Sequence, residues 1–415
     1  MPELVLTFEE ARRVVEQEAL RVRATQTEEV SLLAAYGRVL ADPVLADRDV
    51  PPFPRSTRDG YAVRAEDVAQ VPAVLENIGE IKAGESPDRL TPAIQRGQAA
   101  AIMTGAPVPA GADAVVMVEY TADQETRVQI QRTVTPGENV VATGAEARKD
   151  GALIERGTRL NDAAIALAAS AGKSELQVYK RPHIAVLTTG DEIVDVDATP
   201  GPTQIRNSNS YSLAVQIRNA GGEPVLLPIA PDERLRLRSL IENGLRSDLL
   251  LMTGGVSMGR YDLVEQVLAE LRAEFFFTGA KIQPGRPVVF GRCGSAASGR
   301  EQRAKYFFGL PGNPVSTMVT FELFVRPMLE ALAGMSPKKL RFVYAKMKSE
   351  IRVKPGLKRF LPALLSGEFE ASQVELVPWQ GSGDIAATAR ADCYIVISPG
   401  RERIPQGEFV PVLLR

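Results

Sequence analysis

Three short stretches combine glycine, hydroxyl and carboxylate groups in a pattern suited to holding an anion. Thr253-Gly254-Gly255 follows the apolar run 249–252, and Asp262 stands where a helix bearing Leu263, Val267 and Leu271 on one face should be capped. Thr188-Thr189-Gly190-Asp191-Glu192 follows the apolar run 183–187. Pro311-Gly312-Asn313-Pro314-Val315-Ser316 follows residues 306–310 and opens an apolar helix to about Leu332, with Asn313 as cap and Pro314 at its first position. A glycine loop between a strand and a helix brings bare backbone N–H groups close to an anion, and the helix start points the same way. Lys281 and Arg286 flank Pro284-Gly285, and cationic groups beside glycine suit a phosphate or another oxyanion.

Composition narrows the chemistry. The chain of 415 residues contains one histidine, His183, which excludes a histidine-based triad or zinc site and leaves carboxylates, Lys/Arg, hydroxyls and backbone. Its two cysteines, Cys293 and Cys393, form no metal or redox spacing and suit a reducing cytosol. A net charge of −2 argues against a general nucleic-acid binder. No apolar run approaches the roughly 18 residues of a membrane span, and the start of the chain lacks a signal-peptide pattern. The expected location is therefore cytoplasmic, without membrane or nucleic-acid partners.

These loops need elements to position them. Residues 208–220 read as a helix closed by Gly221, and Asp232 opens another that carries Leu237, Leu240, Ile241 and Leu245. Strands alternating with helices predict a doubly wound, parallel α/β sheet. Every carboxyl end then lies on one edge, where the three loops should meet and ligands bind. Earlier in the chain, Thr7 with Glu10 forms a capping box ahead of a helix to about Leu20. Residues 64–145 are rich in Val, Pro and Gly and read as a small β domain, inserted so that 1–45 and 148–180 pack together. Asn161 begins a short Ala-rich helix. Residues 292–305 should form a hairpin tip, and strands at 374–377, 393–397 and 409–413 a small C-terminal barrel or sandwich.

Eight runs in register along nearly the whole chain match one family: GRVLADPV at 37–44, DVPPF at 49–53, STRDGYAV at 56–63, IMTGAPVPAGADAVV at 102–116, TTGDE at 188–192, TGGVSMGRYD at 253–262, PGRP at 284–287 and LPGNPVS at 310–316. The chain resembles the molybdopterin molybdenumtransferases, which include the E domain of gephyrin. The resemblance implies an elongated, V-shaped chain of four units: a linker and dimerisation domain (1–45 and 148–180), an inserted β domain (46–147), an α/β domain of the molybdopterin-binding type (181–335) and a C-terminal β-barrel (336–415). It implies a homodimer whose cleft lies between the α/β domain of one subunit and the small domains of the other. The implied reaction consumes adenylylated molybdopterin and molybdate, cleaves the phosphoanhydride and releases AMP. A magnesium ion is expected, and a molybdopterin adenylyltransferase should act upstream.

Such cleavage needs a carboxylate-held cation and donors on the phosphate oxygens. Asp191, Glu192 and Asp262 are the expected metal ligands and Glu192, Asp232 and Asp262 expected catalytic groups, to which the resemblance adds Asp59 and Thr104. Gly254, Gly255, Gly312 and Asn313 should cradle the nucleotide with Thr189, Gly190, Ser257, Pro311, Ser316 and Ser382. The family's lysine before Pro-Gly is Gln283 here, so Lys281 or Arg286 is expected to face the molybdate dianion. Two other departures are Arg58, where Met is usual, and Glu146 in place of an Asp. The alternatives are the preceding adenylyltransferase step and a non-catalytic carrier or scaffold.

Overall fold

A computed structural model describes residues 4–24, 26–85, 93–255, 263–294, 304–335 and 338–415. Asp262, Ser257 and the tip of the expected 292–305 hairpin lie outside these residues. The architecture is α/β with several β units, as the sequence predicts.

The central sheet has the order Glu223–Leu226, His183–Thr188, Leu249–Thr253, Lys305–Leu310, Val289–Cys293, Glu274–Phe277. The first four strands are parallel. Val289–Cys293 is antiparallel to both of its neighbours, so it alone runs against the others and Glu274–Phe277 runs with them, which departs from the all-parallel expectation. No helix separates Glu274–Phe277 from Val289–Cys293, so the chain returns without the crossover that parallel pairing needs. Alternate residues of each strand bury on opposite faces. Ile184, Val186, Leu249 and Leu251 pack under one helical layer, and Ala185, Leu187, Leu250 and Met252 under the other. Two buried faces require a continuous apolar run rather than alternation.

Helices Asn209–Ala220 and Pro314–Thr320 cover the first face, and Arg234–Gly244 and Leu263–Glu270 the second. Gly221 closes its helix at φ +100°, a left-handed conformation suited to glycine. The helix expected to continue to Leu332 has one π-helical turn, Phe321–Val325, before resuming as Arg326–Leu332. The Gln216 side-chain amide donates to Met318 O at 3.1 Å just ahead of that turn. Asp232 is not the cap of its helix: Glu233 occupies that place without a side-chain bond.

The first helix, Phe8–Ala19, has the full capping box, with Thr7 and Glu10 each bonding the other's backbone N–H. Its buried stripe joins the α/β core, where Phe8 lies 6.0 Å from Phe324 and 5.4 Å from Phe360 of the C-terminal barrel. Thr27–Ser31 pairs with Glu175–Tyr179, closing a loop around the inserted six-stranded sheet. At the far end, Phe342–Met347, Lys358–Ser366, Gln373–Leu376, Cys393–Ile397 and Phe409–Leu414 pair cyclically into a closed barrel. Ile282–Gln283 adds to it in parallel, stitching the α/β unit to the barrel. Both cysteines are buried, and burial raises the Cys293 thiol to about 11, so neither offers a thiolate.

Phe8 thus touches ring systems from two other parts of the chain. Phe8→Ala should cost about 3 kcal/mol in urea unfolding. An unchanged midpoint would show that the first helix is not part of the core.

Candidate active site

Strand register creates the site. Thr188 pairs with Thr253, and Thr253 with Leu310, so three parallel strands end level. The chain passes from His183–Thr188 to Glu223–Leu226 on one side and then to Leu249–Thr253 on the other. The loops after the two central strands therefore part at a topological switch point, where a crevice must open. A cavity of about 350 Å³ lies there. Its walls include Thr189 and Glu192 from the first loop, Gly254 and Gly255 from the second, and Pro311, Gly312 and Asn313 from the third.

The backbone at this rim is specialised. Gly254 has φ +86° and Gly255 φ +61°, and a Cβ on Gly254 would fall 2.4 Å from Thr189 O. Among the described residues, the amides of Gly254, Gly255, Gly312 and Asn313 have no acceptor within the chain. Those of Thr189 and Gly190 are committed, to Thr253 O at 3.0 Å and Ala230 O at 3.2 Å. The anion cradle is thus narrower than the sequence suggests: the second and third loops supply the donors and the first frames them.

Asn209, which sequence reading passed over, ties these loops together. Its amide nitrogen donates to Thr253 Oγ1 at 2.9 Å and to Gly312 O at 2.7 Å. Thr253 Oγ1 in turn donates to Pro311 O at 3.2 Å. Asn207 and Ser210 make a second buried network with Thr188. The signal was the run Asn207-Ser208-Asn209-Ser210, more polar than a helix start requires. Asn209 Oδ1 and Thr189 Oγ1 are buried without a partner. Such orphans are costly in an empty wall and suit a ligand bearing N–H or O–H groups.

The other expected residues fall into groups. Asn313 is at its helix cap, but its side-chain amide donates instead to Ser382 Oγ at 2.8 Å, joining the barrel loop to the glycine turn. The Val315 N–H donates to Ser382 O at 3.1 Å. Ser316 is buried and is not part of the cavity lining. Asp191 Oδ1 accepts the Asp232 N–H at 3.0 Å, so these two acids stand together beside Glu192. Asp59 and Thr104 meet in the inserted sheet, the Thr104 N–H donating to Asp59 Oδ1 at 2.7 Å, but neither lines the cavity. Lys281 is exposed near Glu10, and Arg286 is exposed beside Pro287, which does line the cavity.

A cation beside Gln283 also escaped the sequence reading. The buried guanidinium of Arg359, on the barrel, donates to the Gln283 side-chain oxygen and to Lys354 O at 2.6 Å. Sequence spacing gives no hint of it, because 76 residues separate the partners. Glu146 pairs with Arg55 at 2.7 Å, a surface contact.

Burial first, and then the charges of Asp191 and Glu192, raise the carboxyl of Asp232, with the Asp191 backbone contact partly opposing. Among the described residues no three His, Cys, Asp or Glu groups form a ready-made metal cage. The acids here are hard oxygen donors, crowded enough to disfavour ionisation.

Three stretches of the chain match known families. Residues 6–172 match the MoeA N-terminal region (domain I and II), 185–331 the probable molybdopterin binding domain, and 344–414 the MoeA C-terminal region (domain IV). The chain is 37% identical over 397 residues to a molybdopterin molybdenumtransferase of Nostoc sp., covering 93% of this chain and 88% of the relative. It is 33% identical over 403 residues to that of Bacillus subtilis, covering 94% and 90%. The structure of a molybdopterin biosynthesis MoeA protein from Pyrococcus horikoshii aligns with TM-score 0.76 at 26% identity, over 99% of this chain and 100% of that one. A second Pyrococcus MoeA structure aligns at 0.69 and 32% identity, over 99% of both chains.

Two outcomes test this geometry. Gly254→Ala should lose about 2 kcal/mol or more in urea unfolding, whereas Gly312→Ala should lose under about 1. For Gly312, a Cβ meets only Gly254 Cα, at 3.6 Å. Equal losses would contradict the assigned backbone strain.

The raised carboxyl means that the folded chain holds the Asp232 proton more tightly than the unfolded chain. Its ionisation therefore costs stability as pH rises through the unfolded value, about 3.9, up to the folded one. Asp232→Asn should raise the melting temperature near pH 7, with the gain vanishing below about pH 4. A lower melting temperature for the variant near pH 7 would contradict it.

Proposed function

The chain belongs to the MoeA family of molybdopterin molybdenumtransferases, and we propose that it inserts molybdate into adenylylated molybdopterin, releasing AMP in the last step of molybdenum-cofactor synthesis. The observation that carries this reading is the switch-point cavity, with unclaimed amides on one wall and carboxylates beside it.

Cleaving a phosphoanhydride concentrates negative charge on the leaving phosphate, so rate depends on donors already in place. The amides of Gly254, Gly255, Gly312 and Asn313 are held open by glycine conformations and by the Asn209 and Ser382 contacts. They would take the phosphate oxygens without reorganising. Thr189 Oγ1 and Asn209 Oδ1 would receive hydroxyl or amino groups of the substrate. Glu192, exposed at the mouth, would orient an attacking water and accept its proton.

Asp191, Glu192 and Asp232 fit a magnesium ion: they are oxygen donors that repel one another and make no ion pair among the described residues. With no three-carboxylate cage, one or two of them would hold the ion, leaving other positions for water and phosphate oxygens. Bound there, magnesium would neutralise charge on the phosphoanhydride.

Asp59 and Thr104 lie outside this cavity, so their catalytic role requires a second copy of the chain whose inserted sheet reaches over the glycine loops. In this reading the enzyme is a homodimer, supplied in the cytoplasm by a molybdopterin adenylyltransferase. Lys281, Arg286 or Arg359 would face molybdate near Gln283, and of these Arg359 contacts the Gln283 side chain.

Purified protein with magnesium should release AMP from adenylylated molybdopterin only when molybdate is added. Glu192→Gln and Asp59→Asn should each fold normally and lower turnover by about 100-fold or more. Molybdate-independent release, or an adenylate left intact as a carrier would leave it, would overturn the reading.

A further inference from the structure

A cavity of about 520 Å³, larger than the one at the glycine loops, opens at the opposite edge of the α/β sheet. It sits where the strands begin. His183 starts the first central strand, and Ser247 and Asp248 precede the second. Lys180 and Arg181 line it from the crossing between the linker sheet and the α/β sheet. Arg246 approaches from the end of the Arg234–Gly244 helix, and Arg23 from beyond the first helix.

These four cations make no ion pair among the described residues, unlike many arginines of this chain. Arg326 pairs with Glu322, Arg234 with Glu270 and Arg38 with Glu28. Among the described residues the lining contains one acid, Asp248, and its carboxylate accepts the His183 backbone N–H at 2.8 Å. Arg181 is half-buried. Desolvation first and the charge of Arg38 next oppose its protonation, with Glu223 partly compensating. A neighbouring cavity shares Arg23 and Asp248 and adds Lys305, whose ammonium donates to Ser247 O at 2.9 Å. Arg23, Lys180 and Arg246 are exposed, and like charges gathered around one concave space repel one another unless an anion enters. Leu227 and Leu332 supply an apolar wall.

We propose that this cavity is a second ligand site, which binds a small molecule bearing adjacent phosphate groups. Phosphates place several charges within the reach of two guanidinium forks and one ammonium, the geometry that arginine recognises best. The volume lies in the range of about 300–1,000 Å³ usual for small-molecule sites. The occupant would bridge residues of the crossing segment and of the α/β unit, fixing the angle between them. The site is separate from the glycine rim, so it holds whether or not the transferase reading does.

Lysine acetylation of the full-length chain, read by mass spectrometry, tests it locally. Inorganic pyrophosphate should slow acetylation of Lys180 at least fivefold relative to chloride at equal ionic strength, while exposed Lys348 is unaffected. An Arg181→Gln/Arg246→Gln chain should lose that protection, and both chains should show the same circular dichroism. ADP forms a second arm. Half-protection at tenfold lower ADP than pyrophosphate assigns the apolar wall to a nucleoside, and equal concentrations assign recognition to the phosphates alone. Lys180 acetylated equally fast with and without pyrophosphate in the wild-type chain would overturn the proposal. So would protection that survives in the double variant.

Discussion

The level ending of three parallel strands is the constraint from which the site follows. Because Thr188, Thr253 and Leu310 stand in register, the residues after them emerge along one line, and the switch in strand order parts them into a crevice. A slip of one residue in any strand would turn its buried set to the opposite layer. The two apolar cores that sandwich the sheet therefore also hold the loops in place. Packing fixes the chemistry at a distance.

Within the crevice the protein divides its labour. Backbone amides, kept open by positive-φ glycines, form a donor surface that no side chain could match for close approach. Carboxylates stand to one side without an ion pair among the described residues, a costly arrangement that a cation relieves. Asn209 and Ser382 set the spacing between walls, and Ser382 makes the barrel part of that wall. The barrel, the first helix and the helical layer of the α/β unit share aromatic contacts through Phe8, so these parts are positioned together.

Much of this was legible because it is local. The apolar strands, the Thr7–Glu10 capping box, the glycine ends of loops and the closure at Gly221 are short-range patterns with direct conformational causes. Family membership was legible because eight runs along nearly the whole chain resemble one family, and the relatives carry the same name. What escaped were long-range matters. No periodicity announces that Val289–Cys293 runs against the other strands of its sheet, or that Arg359 reaches Gln283. Asn209 looked like an ordinary helix residue because its partners, Thr253 and Gly312, are distant in sequence. Asp232 looked like a helix cap, whereas its N–H is bound by Asp191 and Glu233 precedes the helix. Local composition does not say which neighbour a side chain will choose.

The account stands on the glycine loops being one anion site rather than three separate turns. A crystal structure of the protein soaked with AMP and molybdate addresses this directly. The AMP phosphate should lie within hydrogen-bonding distance of the Gly254 or Gly255 amide and of the Gly312 or Asn313 amide at the same time. A phosphate found elsewhere, or touching only one of the two loops, would contradict it.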